Sequence, residues 1–134
     1  MKVCLKKPSI ATRRRRAQFD PTLVAASEKR ARRMSKEAWA ALKAEGEDLN
    51  ASLAGLIDRN PDDAEVQALI ARHHKTIEPF YHATAEIYRG LGLLYVEHPE
   101  FPAYYEKYAM GLPEFLKQAM TVYADDVLSQ EEEG

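Results

Sequence analysis

His73-His74-Lys75-Thr76-Ile77-Glu78-Pro79-Phe80-Tyr81 is the stretch on which the fold turns. Upstream of it Val66, Leu69, Ile70, His73 and Ile77 recur at the three- and four-residue steps of one helical face, with Asp62 or Asp63 placed to cap the start. Pro79 has no amide hydrogen to return to Lys75, and its ring crowds that carbonyl, so this helix should end or kink there. A pair of aromatics follows at once. Thr84 can then cap a new helix that carries Ile87, Leu91, Leu94 and Tyr95 inward, with Pro99 to close it.

Further upstream, Ser35 is a natural N-cap, and Trp39, Leu42, Gly46, Leu49, Leu53 and Leu56 predict one continuous buried stripe on a helix ending near Ile57. Gly46 interrupts that helix at about 1 kcal/mol relative to alanine. Its presence suggests either close approach of a neighbouring helix or room for a ligand. Asp20-Pro21 offers a cap followed by proline at the first helical position, so a short helix from about Pro21 to Arg33 is expected, with marginal stability alone. Residues 1–18, with Arg13 to Arg16 in a block, are too charged to order themselves.

Downstream, Phe101 to Tyr108 forms a short aromatic segment leading to Gly111. Pro113 marks the start of a last helix that turns Leu112, Phe115, Leu116, Ala119 and Tyr123 inward, and Glu131 to Gly134 should fray. No period-two pattern of useful length occurs, so the chain reads as all-α, with four or five helices in one domain.

Charge is divided unevenly. Residues 1–34 hold 11 Lys and Arg against Asp20 and Glu28, while the remainder holds 8 against 19 acids. Such a division suits a basic arm that seeks a polyanion or folds back on its own acidic body. The single cysteine, Cys4, cannot close an internal disulfide, so the cytoplasm is the expected compartment. There is neither a secretory apolar run nor a stretch near the roughly 20 apolar residues of a membrane span, although the Arg-rich, acid-poor start also fits an organelle transit peptide.

Catalytic signatures are missing. No Ser or Cys is recognisably held beside a base, and Gly90-Leu91-Gly92 falls inside a helix instead of following a strand. His74, Glu78, His82 and Glu86 step by four, but Pro79 interrupts their helix, and a solvated polar face is the expected reading over a metal site. No cofactor is expected. His73 differs, because it shares the apolar face; it is either a satisfied core histidine or one that also lines a pocket.

Ten of the twelve aromatic rings lie between residues 80 and 123. Tyr81, Tyr88, Tyr95, Tyr104, Tyr105 and Tyr108, beside Phe80, Phe101 and Phe115, exceed what a small helical core requires. They suit a cleft that stacks on a flat, largely apolar ligand.

The order His73 to Tyr81, Arg89 to Val96, Pro99-Glu100-Phe101 and Gly111 to Leu116, with Ser35 to Trp39 before it, resembles the TipAS-type antibiotic-recognition domain, the effector half of certain MerR-family drug-responsive regulators. The resemblance covers about Ser27 to Leu128. It implies a compact, globin-like arrangement without haem, and reversible sequestration of a bulky apolar antibiotic, thiopeptide-like or another large natural product, by a cytoplasmic monomer that is not an enzyme. Charge and capping residues add a basic flexible arm at 1–19 and a short conditional helix at 20–34 before the ligand-binding body at 35–130 that the resemblance implies. The candidate ligand-binding residues are Trp39, Gly46, His73, Phe80, Tyr81, Ala83, Tyr88, Leu91, Tyr95, Tyr104, Tyr108 and Phe115. Thiostrepton-type members carry a cysteine shortly after the Phe-Tyr pair, where this chain has His82-Ala83-Thr84, so covalent capture there is not expected. Relatives also commonly show Asp-Pro-Arg-Phe where His98-Pro99-Glu100-Phe101 stands. The alternatives are the effector fragment of a MerR-type regulator, or an interaction module that binds nucleic acid through its basic arm alone.

Overall fold

Three helix starts are made by the capping residues the sequence marks. Ser35 Oγ accepts from Ala38 N at 3.0 Å, Asp63 Oδ1 from Glu65 N at 2.9 Å, and Thr84 Oγ1 from Ile87 N at 3.3 Å. The computed structural model describes residues 21–98 and 100–133. The expected basic arm, with Cys4, lies outside the described residues.

In chain order the elements are α1 (Pro21–Arg33), α2 (Lys36–Gly55), α3 (Ala64–Ile77), α4 (Ala85–Glu97), α5 (Glu100–Glu106), α6 (Leu112–Tyr123), a π-helical turn (Ala124–Leu128) and α7 (Ser129–Glu133). The protein is all-α, and no strand occurs among the described residues. No described helix is long and apolar enough to cross a membrane.

α4 and α6 share the largest interface. A Cβ on Gly92 would stand 3.2 Å from the Lys117 Cα, so this glycine is what lets α4 approach the α6 backbone. Tyr88, Leu112, Leu116 and Met120 are fully buried around that contact, and α3 adds Val66 and Ile70. Gln67 Nε2 ties α3 to α6 by donating to Ala119 O at 3.1 Å, and it also reaches Pro61 O at 2.7 Å. α3 ends at Ile77, ahead of Pro79. The amides of Phe80 and Tyr81 both return to the Ile77 carbonyl, which reverses the chain.

The structure departs from the sequence expectations at three places. The α2 stripe is not buried throughout: Leu49 and Leu53 are, whereas Leu42 and Leu56 are half-buried and Trp39 is 49% exposed. The first half of α2 runs beyond the body it packs on. His74 is not on a solvated face. The reversal after Pro79 brings the Ala83 carbonyl over it, so its Nε2 donates there at 2.9 Å, with the ring 5.0 Å from that of Tyr88. Glu131 to Glu133 do not fray but form part of α7, because Glu132 Oε2 accepts from the Ala85 amide at 2.7 Å and caps the start of α4.

Candidate functional site

α2 packs on α3, and residues of α4 and α5 face the space between them. The resulting cavity of about 230 Å³ is lined from α2 by Lys43, Gly46, Glu47 and Asn50 and from α3 by His73, Thr76 and Ile77; Tyr95 of α4 and Tyr104 and Tyr105 of α5 complete it. Lys43 and Thr76 also border a wider groove of about 520 Å³, walled by Trp39, Leu42 and Phe80. The two spaces therefore share an edge. Trp39 meets Phe80 edge to face, with ring centroids 6.2 Å apart. Arg30 Nη1, from α1, donates to the Phe80 carbonyl at 2.7 Å and holds that turn against the groove.

The floor is a buried polar chain. His73 Nδ1 lies 2.7 Å from the Tyr88 hydroxyl and Nε2 lies 3.3 Å from that of Tyr95, while Tyr88 Oη reaches the Ile70 carbonyl at 3.3 Å. A carbonyl only accepts, so the tautomer that satisfies all three contacts carries its proton on Nδ1 and accepts from Tyr95 at Nε2. Burial, with the neighbouring His74 adding to it, holds His73 down to about 4, so the ring is neutral at pH 7. The same burial raises Tyr88 and Tyr95 well above the ordinary phenol value. Both hydroxyls stay protonated and able to donate.

The wall is aromatic. Tyr95 packs on Tyr105 at 4.8 Å and on Phe101 at 5.5 Å. Tyr104, 41% exposed, stands edge-on to Tyr105 at 5.0 Å with Lys107 Nζ 4.3 Å over its ring. A hydrogen bond to Tyr108, followed by partial burial, pushes the Tyr104 hydroxyl up to about 12.

Of the residues singled out from the sequence, Gly46, His73, Tyr95 and Tyr104 meet in the cavity, and Trp39 and Phe80 wall the adjoining groove. Others sit elsewhere. Ala83, Tyr88, Leu91 and Phe115 are buried in the core, Tyr81 is half-buried against it, and Tyr108 packs behind Tyr104. The lining residues not foreseen include Asn50 and Thr76. Asn50 stands four residues after Gly46 and Thr76 three after His73, so each shares a helical face with a residue that was foreseen.

The interleaved acids and histidines do not form a metal centre. His82 Nδ1 is 3.5 Å from Glu78, and among the described residues no group of three His, Cys, Asp or Glu could hold an ion. The lining offers stacking surface and hydrogen bonding. His73, neutral and held between two phenols, is a poor general base near pH 7.

The model of the TipAS antibiotic-recognition domain matches residues 14–123. The chain is similar to the HTH-type transcriptional activator mta of Bacillus subtilis, at 33% identity over 100 residues, 74% of this chain and 39% of that protein. It is similar also to the HTH-type transcriptional regulator SkgA of Caulobacter vibrioides, at 32% identity over 93 residues, 66% of this chain and 36% of that one. The chain thus spans well under half the length of these curated relatives. No solved structure matches it.

Proposed function

The chain belongs to the TipAS antibiotic-recognition family, and from that premise we propose that it reversibly binds and sequesters a bulky, largely apolar antibiotic in the cleft between α2, α3, α4 and α5. The observation that carries this reading is the junction of the Gly46, His73, Tyr95, Tyr104 cavity with the Trp39–Phe80 groove. Large aromatic walls over a few fixed polar groups suit a heterocycle-rich ligand, because aromatic side chains give contact area at low entropic cost. Tyr81, Ala83, Tyr88, Leu91, Tyr108 and Phe115 support the cleft from behind and would touch ligand only if it opened further. Binding in this reading is non-covalent and non-enzymatic. His82-Ala83-Thr84 provides no thiolate, and the Ala83 carbonyl is already engaged by His74. The chain acts in the cytoplasm, in keeping with its single cysteine.

A second reading is favoured by the names of the relatives, both HTH-type transcription regulators. In it the cleft is the effector half of a DNA-binding protein, and ligand occupancy sets transcription. Nucleic-acid contact within this chain would fall to its basic arm.

Trp39, the only tryptophan, tests the first reading. Titration with a thiopeptide antibiotic should change its emission saturably at one ligand per chain and leave the intact mass unchanged. No change in emission, or a covalent adduct in residues 80–90, would contradict the proposal.

A further inference from the structure

Two residues one turn apart on α2 work against stability without a packing reason. Gly46 is a poor helix residue, yet a Cβ there would meet nothing within 4 Å, so crowding does not explain it. Asn50 is only 6% exposed, and among the described residues its carboxamide has no hydrogen-bond partner. A buried amide left unpaired is costly, and native proteins rarely carry one without cause. Positions four apart share a helical face and helical side chains lean towards the N-terminus, so the Asn50 amide extends towards the space that Gly46 leaves open. Both line the same cavity.

Thr76 and His73, beside Asn50 in the cavity, are already engaged. Thr76 Oγ1 donates to the His73 carbonyl at 2.6 Å, and both His73 nitrogens face tyrosine hydroxyls. Among the described residues, Asn50 is therefore the unspent hydrogen-bonding capacity of the floor. We infer that Asn50 reads a primary carboxamide or lactam of the ligand, admitted past Gly46 and paired edge to edge. This deepens the proposed function and rests on it. A carboxamide side chain presents a donor and an acceptor side by side, and its complement is a group with both on one edge, which a primary amide or lactam has. A carboxylate could use only the donor and would set its charge against Asn50 Oδ1. Lys43 and Glu47, of opposite sign, both line the cavity and give it no net preference for a charged group.

The test is an NMR titration of the full chain with benzamide and with acetophenone, which has nearly the same shape but lacks the donor. Benzamide should move the Asn50 side-chain NH2 and Gly46 amide resonances and bind about tenfold more tightly, since a site built to pair an N–H discriminates strongly against its loss. In Asn50→Leu that ratio should fall to about one, because neither the donor nor the acceptor of the carboxamide remains. The free variant should melt at a higher temperature, because the unpaired amide is gone. If Asn50→Leu does not fold, Asn50→Ala should show the same loss of selectivity. Equal affinities in the parent, with cleft resonances moving, would remove the amide inference and leave the cleft standing. Retained selectivity in the variants would make Asn50 structural and overturn the inference. If neither compound moves a cleft resonance, the amide inference falls, while the binding reading is decided by the thiopeptide titration of Trp39 emission.

Discussion

His73 is where cleft and core meet. Its place beside Ile70 and Ile77 is legible in the sequence, but its tyrosine partners lie 15 and 22 residues away, and no local pattern pairs them. Asn50 was hidden for a related reason, since the groups that line the cavity with it come from α3, α4 and α5, far along the chain. Because His73 is held down to about 4 against 6.5 when unfolded, the unfolded chain binds the extra proton first on acidification. Its contribution to stability is complete above about pH 6.5 and is lost as pH falls towards 4. Thermal melts at pH 7 and 4.5 should therefore show a smaller acid-induced drop for His73→Gln than for the parent; equal drops would place the titration elsewhere. Tyr104, being well exposed, should be separable from folding. Tyr104→Ala is expected to weaken ligand binding by about 1–3 kcal/mol in calorimetry while shifting the melting temperature little.

At the level of elements, the starts of α2, α3 and α4 were readable because caps and Pro79 act over four residues. The end of the chain was not. Glu131 to Glu133 look like a solvated tail, and only the tertiary fold reveals Glu132 at the Ala85 amide, with Arg89 bridging to Asp125 and Ser129 beside it. Glu132→Ala should then lower stability by about 1 kcal/mol in urea denaturation, as loss of a helix cap does, whereas Glu133→Ala should not. α1 was foreseen as conditional. It is helical here, and the Arg30 contact to Phe80 is its described side-chain link to the cleft wall. Its amides should exchange far faster than those of α4 in the free protein and gain protection when ligand fills the groove, as ordering by shared apolar contact requires. Equal protection of α1 and α4 without ligand would remove its conditional character.

For the whole molecule, the all-α class followed from periodicity alone, while the cleft did not, because it arises where α2 outruns the body. The sequence stripe treated Trp39 and Leu42 as core, and the structure turns them into a groove wall. A rival surface exists between α2 and α3, where Ala51, Gly55, Ala68 and Leu69 line a groove of about 480 Å³ beside Arg72. We propose that the aromatic cleft, and not this second groove, takes the ligand. Amide chemical-shift mapping of the full chain with a thiopeptide antibiotic separates them most directly. The cleft predicts saturable shifts concentrated at Trp39, Gly46, Thr76, Phe80 and Tyr104; shifts concentrated at Ala51, Gly55, Ala68 and Leu69, or none anywhere, would contradict it.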